Sequence, residues 1–252
     1  GRPACGQRTA ALGVAALGYT TVHLLAYSAD LTFDLATIAT ELAFRLYLAV
    51  GTIAFLIMVP LGLTSTDGMV KRLGGPRWKR LHQLAYVIGF LSVLHFFLLL
   101  LLLFLMAVQT ADVELVKTFA TLGADPLVRG EDNATSLMLA GRRTGTEEDV
   151  VRTMETLLGL GVDIDAVDSN GETAIHRAAY RNRGDAIRFL VGNGANIEVW
   201  NKENNDGLTP LAIAVGYRRG TFRPNPEAEA AVREVMMAEG ISPPVKITLN
   251  SR

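Results

Sequence analysis

Hydrophobic positions cluster in two ways along this chain. Up to about residue 110 they form long unbroken stretches; beyond it they recur between charged residues at helical spacing. No Asp, Glu, Lys or Arg lies between Arg8 and Asp30, between Arg45 and Asp67, or between Arg80 and Asp112, gaps of 21, 21 and 31 residues. About 20 apolar residues carry a helix across a ~30 Å hydrocarbon core, so the pattern predicts three membrane spans. Buried core helices share that composition, but three in succession within 110 residues favour a bilayer. The chain opens on Gly1, and the first span holds Thr20, Thr21 and His23. It therefore reads as a fragment or a processed chain, not as one led by a signal peptide.

The second pattern repeats. Gly123-Ala-Asp-Pro, Gly161-Val-Asp-Ile-Asp and Gly194-Ala-Asn-Ile-Glu recur at intervals of 38 and 33 residues. Each precedes a turn and a helix start: Asn133-Ala-Thr-Ser-Leu, Asn170-Gly-Glu-Thr-Ala-Ile-His-Arg-Ala-Ala, and Asp206-Gly-Leu-Thr-Pro-Leu-Ala. Thr173 and Thr209 suit helix caps, Pro210 a first helical turn, and the three glycines left-handed helix ends. Leu157, Leu158, Phe189 and Leu190 supply faces for neighbouring repeats to bury. An insertion is expected at Arg142–Glu148, and a longer turn at Lys202–Asn205. The period and the Thr-Pro-Leu start resemble the ankyrin family over residues 104–222. His176 falls on that motif's histidine, which implies a structural role. The expected fold is all-α: a three-span membrane segment (1–103), an ankyrin solenoid (104–222), and a capping helix over Pro226–Glu239 with a tail (223–252). The third span merges with the first repeat helix at Leu102-Leu103 without a linker.

Charge gives an orientation. Residues 1–109 carry eight Lys/Arg against four Asp/Glu, and residues 110–252 sixteen against twenty-one. Lys71, Arg72, Arg77, Lys79 and Arg80 crowd between the second and third spans. Basic loops stay cytoplasmic, which places that loop and the N-terminus with Arg2 and Arg8 on the cytoplasmic side. Three crossings then put the repeats on the far side, the periplasm of a bacterial inner-membrane protein. The net charge of −1 gives no sign of nucleic acid binding. A lone cysteine, Cys5, excludes an internal disulfide, a cysteine zinc site and a c-type heme motif.

Ionisable groups inside spans are costly and mark function by default. His23 and His95 each lie thirteen residues into a span (from Ala10 and His82), in spans of the same direction. They therefore sit at similar depth, as axial ligands of a flat macrocycle would. His82 begins its span; thirteen residues turn a straight helix about 220° beyond whole turns, so His82 and His95 do not share a face. The alternative is that all three bind between helices through hydrogen bonds.

The stretch Leu63-Thr-Ser-Thr-Asp-Gly-Met-Val-Lys-Arg-Leu-Gly74, then Arg77-Trp-Lys-Arg-Leu-His82-Gln-Leu-Ala-Tyr86 and Val93-Leu-His95, resembles the MsrQ-type heme-binding membrane subunits of periplasmic methionine sulfoxide reductase systems. Gly18-Tyr-Thr-Thr-Val-His23-Leu-Leu-Ala-Tyr27 resembles their other histidine helix. The resemblance covers residues 8–100 and the ferric-reductase-like transmembrane group. It implies heme b held by His23, His82 and His95, and electrons passed to a periplasmic molybdopterin enzyme that repairs oxidised methionine. The family has six spans, of which this chain matches the third to fifth. Arg45-Leu46-Tyr47 lacks the family's proline, and an upstream arginine pair is reduced to Arg8.

The first functional expectation is a b-type heme electron carrier, fed by a quinol or a flavin (FMN) and serving a periplasmic reductase subunit, fused to an ankyrin module that binds a protein. Arg45, Arg77 and Lys79 are candidates for heme propionates or plain surface charges. The alternative is a membrane-anchored scaffold without redox activity. In either case Asp168, Asn170, Trp200, Asn201 and Lys202 are candidate partner contacts, with Trp200 either an exposed anchor or packed on the next turn. No nucleophile–base pair or phosphate loop suggests a hydrolase.

Overall fold

The structure is a computed structural model describing residues 5–218 and 221–247. Arg2, the side chain of Arg8 and the last five residues of the expected tail lie outside the described residues. The chain divides into two compact units, residues 1–99 and 100–252.

In the first unit, α1 (Cys5–Asp30) ends in a turn where Thr32 and Phe33 take positive φ. Asp34 opens α2 (Leu35–Phe44) by accepting from the Ala36 N–H at 3.1 Å, an ordinary N-cap. Arg45 is extended (φ −109°, ψ 98°) and breaks the chain before α3 (Leu46–Leu63). The basic segment forms α4 (Asp67–Leu73) and α5 (Gly75–His82), which meet at Gly74 with φ 73°. α6 (Leu84–Thr110) follows. α1 and α2 both pack against α3. Val22, Leu25, Leu56, Phe90, Val93 and Phe97 stay exposed, as suits helices whose solvent is lipid.

Of the three expected spans, two stand as candidates by length and composition among the described residues, Leu46–Leu63 and Gly75–Thr110. α1 has the length at 26 residues. Tyr19, Thr20, Thr21, His23, Tyr27 and Ser28 dilute its apolar character.

In the second unit, α7 (Val113–Thr121), α9 (Glu147–Gly159), α11 (Gly184–Gly192) and α14 (Pro226–Ala238) pack successively as one row. The shorter α8 (Ser136–Leu139), α10 (Ala174–Tyr180) and α13 (Pro210–Val215) pack successively as a second. α12 (Ile197–Trp200) lies in the turn between α11 and α13. One buried apolar cluster runs through both rows, from Leu100, Phe104 and Val108 at the end of α6 to Val232 and Met236 on α14. Leu157 and Leu190 are fully buried, Leu158 and Phe189 partly so.

The repeated turn chemistry does what its residues dictate. Gly123, Gly161 and Gly194 take φ of 98°, 88° and 91°, where a Cβ would be strained. Thr209 caps α13 by accepting from the Ala212 N–H at 3.2 Å. The insertion is shorter than expected, because Thr146 caps α9 and Glu147 and Glu148 already belong to its first turn. An unforeseen hairpin, β1 (Tyr217–Arg218) and β2 (Thr221–Phe222), joins α13 to α14, with Tyr217 and Phe222 paired edge to face. The side-chain amide of Asn225 then donates to the Ala179 carbonyl at 2.8 Å, and Asn182 Oδ1 accepts from the Glu227 and Ala228 N–H groups at 3.0 Å. Ala228, Ala231 and Val232 on α14 are fully buried.

Candidate functional site

The three histidines of the first unit occupy different surroundings. His95, on α6, places Nδ1 2.7 Å from the backbone carbonyl of Tyr47 on α3. A carbonyl only accepts, so Nδ1 carries the proton and Nε2 keeps its lone pair. No described residue bonds that Nε2. The rings of Tyr47 and His95 sit 6.1 Å apart and tilted. Gly51, one helical turn beyond Tyr47, lets the imidazole lie flush on α3. A Cβ there would come within 2.9 Å of Nδ1 and 3.0 Å of Cε1.

His23, on α1, is exposed and stacks on Tyr19 with ring centroids 6.5 Å apart. It has no hydrogen-bond partner among the described residues. His82 ends α5 and has both nitrogens occupied: Nδ1 faces the Trp78 carbonyl at 3.1 Å and Nε2 faces Ser65 Oγ at 3.3 Å. Trp78 stacks on the His82 ring at 4.0 Å and donates its indole N–H to the Thr64 carbonyl at 3.0 Å. The structure thus brings His82 to Ser65 and Trp78, and His95 to Tyr47 and Gly51. It shows no contact between any two of the three histidines. Sequence reasoning missed these partners, because the decisive ones are main-chain oxygens and a glycine.

A heme needs a neutral imidazole with an unclaimed nitrogen and an apolar surround. His95 leaves Nε2 unclaimed, and His23 has no hydrogen-bond partner among the described residues. Exposed Val22, Leu25, Val93, Phe96 and Phe97, within three residues of them along α1 and α6, make these stretches of helix surface apolar. Both ring nitrogens of His82 lie against a neighbour, though Ser65 Oγ directs its own proton to the Leu61 carbonyl at 2.6 Å. No cluster of three or more His, Cys, Asp or Glu side chains forms another metal site among the described residues.

In the second unit the expected contact residues are mostly structural. Trp200 is buried to 1% exposure within the core cluster, which overturns its reading as an exposed anchor. Its large ring fills the space that the turn encloses. Asp168 is also buried; it accepts from the backbone N–H groups of Asn170 and Glu172 and pairs with Arg177 at 2.6 Å. Those bonds hold the turn, which corrects its reading as a surface contact. Burial pushes the neighbouring Glu172 carboxyl above its usual range, with Arg177 opposing the shift. Asn170 and Asn201 are half-buried, and Lys202 is exposed. The Lys202 carbonyl accepts from His176 Nε2 at 3.0 Å, while His176 Nδ1 accepts from the Thr173 N–H at 3.2 Å. Burial lowers the His176 pKa from 6.5 to about 4.

Two families match parts of this chain. Residues 10–93 match the ferric reductase like transmembrane component, and residues 147–191 match ankyrin repeats (many copies). A protein-methionine-sulfoxide reductase heme-binding subunit MsrQ of Rhodospirillum rubrum is 45% identical over 94 residues, covering 37% of this chain and 45% of that protein. Its counterpart from Polaromonas naphthalenivorans is 43% identical over 96 residues, covering 38% and 44%. The magnetosome protein MamZ of Magnetospirillum gryphiswaldense is 41% identical over 88 residues, covering 34% and 14%. The chain spans less than half the length of these curated relatives. The first part of this protein is therefore similar to the ferric reductase like transmembrane component, and the later part to ankyrin repeats.

Proposed function

We propose that this chain is a bacterial membrane electron-transfer protein that binds heme b through His23 and His95 and carries an ankyrin-type module for a protein partner. The observation that carries the reading is the unclaimed Nε2 of His95, on a helix stretch with no charged residue, inside a segment similar to heme-binding subunits. When bound, heme supplies a one-electron iron couple. His95 offers its Nε2 lone pair because the Tyr47 carbonyl holds the proton on Nδ1. His23 offers a ring nitrogen from α1. Exposed apolar side chains beside each of them, such as Val22 and Phe97, suit a lipid setting that excludes water. His82, clasped by Ser65 and Trp78, assists by holding the basic turn at the cytoplasmic edge.

The donor in this reading is a quinol or a flavin, and the acceptor a periplasmic reductase subunit. The ankyrin module lies in the periplasm if α1 crosses the bilayer together with the two candidate spans, since crossing parity sets its side.

A reduced-minus-oxidised spectrum of membranes holding the full chain tests the proposal. A b-type band is expected, and His23→Ala and His95→Ala should each abolish it. A chain without such a band that still captures a partner through its ankyrin residues would instead be an anchored scaffold.

A further inference from the structure

We infer that Gly51 and the Tyr47 carbonyl act as one positioning device, which fixes the proton of His95 on Nδ1 and aims Nε2 away from α3. This deepens the heme reading and rests on it for its purpose, but not for its geometry.

The argument begins with helix periodicity. Tyr47 and Gly51 are four residues apart on α3, so the Gly51 N–H bonds the Tyr47 carbonyl within the helix. A carbonyl has two lone pairs. The second accepts His95 Nδ1–H at 2.7 Å from α6. That bond requires the imidazole to lie against the backbone at residue 51, where only a hydrogen leaves room. A methyl group would stand 2.9 Å from Nδ1 and 3.0 Å from Cε1. Contacts that short force the ring to swing, and the swing pulls Nδ1 off the carbonyl.

The bond also selects a tautomer. With the proton on Nε2, the Nδ1 lone pair would face a carbonyl lone pair at the same distance, a repulsive contact in a low-dielectric setting. Only the Nδ1–H form is compatible with the geometry. Ligating imidazoles are generally oriented by such a bond on their other nitrogen, which raises their basicity. Gly62 provides the contrast on the same helix: a Cβ there meets Leu17 of α1, not a histidine.

The test uses the full chain in lipid, without heme, labelled with 15N-histidine. The His95 signals are assigned by their loss in His95→Ala. A protonated Nδ1 and a bare Nε2 are expected in the unsubstituted protein and in Gly62→Ala. Gly51→Ala should shift His95 to a mixture of tautomers. A proton on Nε2 in the unsubstituted protein, or a Gly51→Ala spectrum identical to it, overturns the inference. On heme-loaded protein, Gly51→Ala is expected to weaken heme affinity about ten- to a hundredfold; unchanged affinity would also count against it. A heme-free chain with the expected tautomer signals breaks the electron-transfer reading and leaves the positioning of His95 standing.

Discussion

His95 and His176 are the same side chain put to opposite uses in the two units. His176 has a donor on Nδ1 and a carbonyl on Nε2, so both nitrogens are satisfied inside the ankyrin-like core. His95 has a carbonyl on Nδ1 and nothing described on Nε2. The surroundings differ in the same sense. The largest fully buried side chains among the described residues, Trp200, Leu157 and Leu190 among them, lie in the cluster of the second unit, while the first leaves Phe90, Val93 and Phe97 exposed. A buried histidine whose nitrogens are both spoken for stabilises a fold. One with a nitrogen left open in an apolar setting is available for chemistry.

The contrast can be broken most severely through burial. Leu157→Ala, at a fully buried site, should destabilise the second unit by about 2–5 kcal/mol in denaturant melts followed by circular dichroism. Val93→Ala, on the exposed face of α6, should change the helical signal in detergent little, and an equal loss at both sites would dissolve the distinction. Next in size is Asp168→Ala, which leaves Arg177 without its closest carboxylate and unties a turn. About 2–4 kcal/mol of destabilisation is expected, below the full value for a buried pair because Arg177 is partly exposed and keeps Glu172.

The third effect depends on pH. The folded-state pKa of His176 lies near 4 and the unfolded value near 6.5. The unfolded chain therefore binds more protons between these values, and stability falls as pH drops from about 6.5 to about 4. The loss attributable to this group is about 3 kcal/mol at most. His176→Gln should flatten the slope in that window, measured as urea midpoints at several pH values; an unchanged slope would assign it to other groups.

Much of the scaffold was legible in the sequence. The absence of charge marked α3 and α6, and the spaced glycines marked the helix ends of the repeats. Two of the three expected spans are apolar enough among the described residues, because an uncharged stretch is not always an apolar one, and α1 carries two tyrosines, three threonines, a serine and a histidine. Trp200 was ambiguous because its burial depends on neighbours in three dimensions. The surroundings of His95 were invisible for a related reason. Its partner is a main-chain oxygen 48 residues away in sequence, and no side-chain pattern records a backbone atom.

The last helix of the chain has a consequence for any shortened version. α14 does two jobs at once: it lays Ala231 and Val232 over the final repeat, and the Asn225 before it occupies carbonyls at the end of α10. Stacked repeats lean only on adjacent members. Trimming back past Asn225 would therefore uncover a greasy face and withdraw an amide from the Ala179 and Tyr180 carbonyls together, and the stack would come apart from that end like an unlatched shutter.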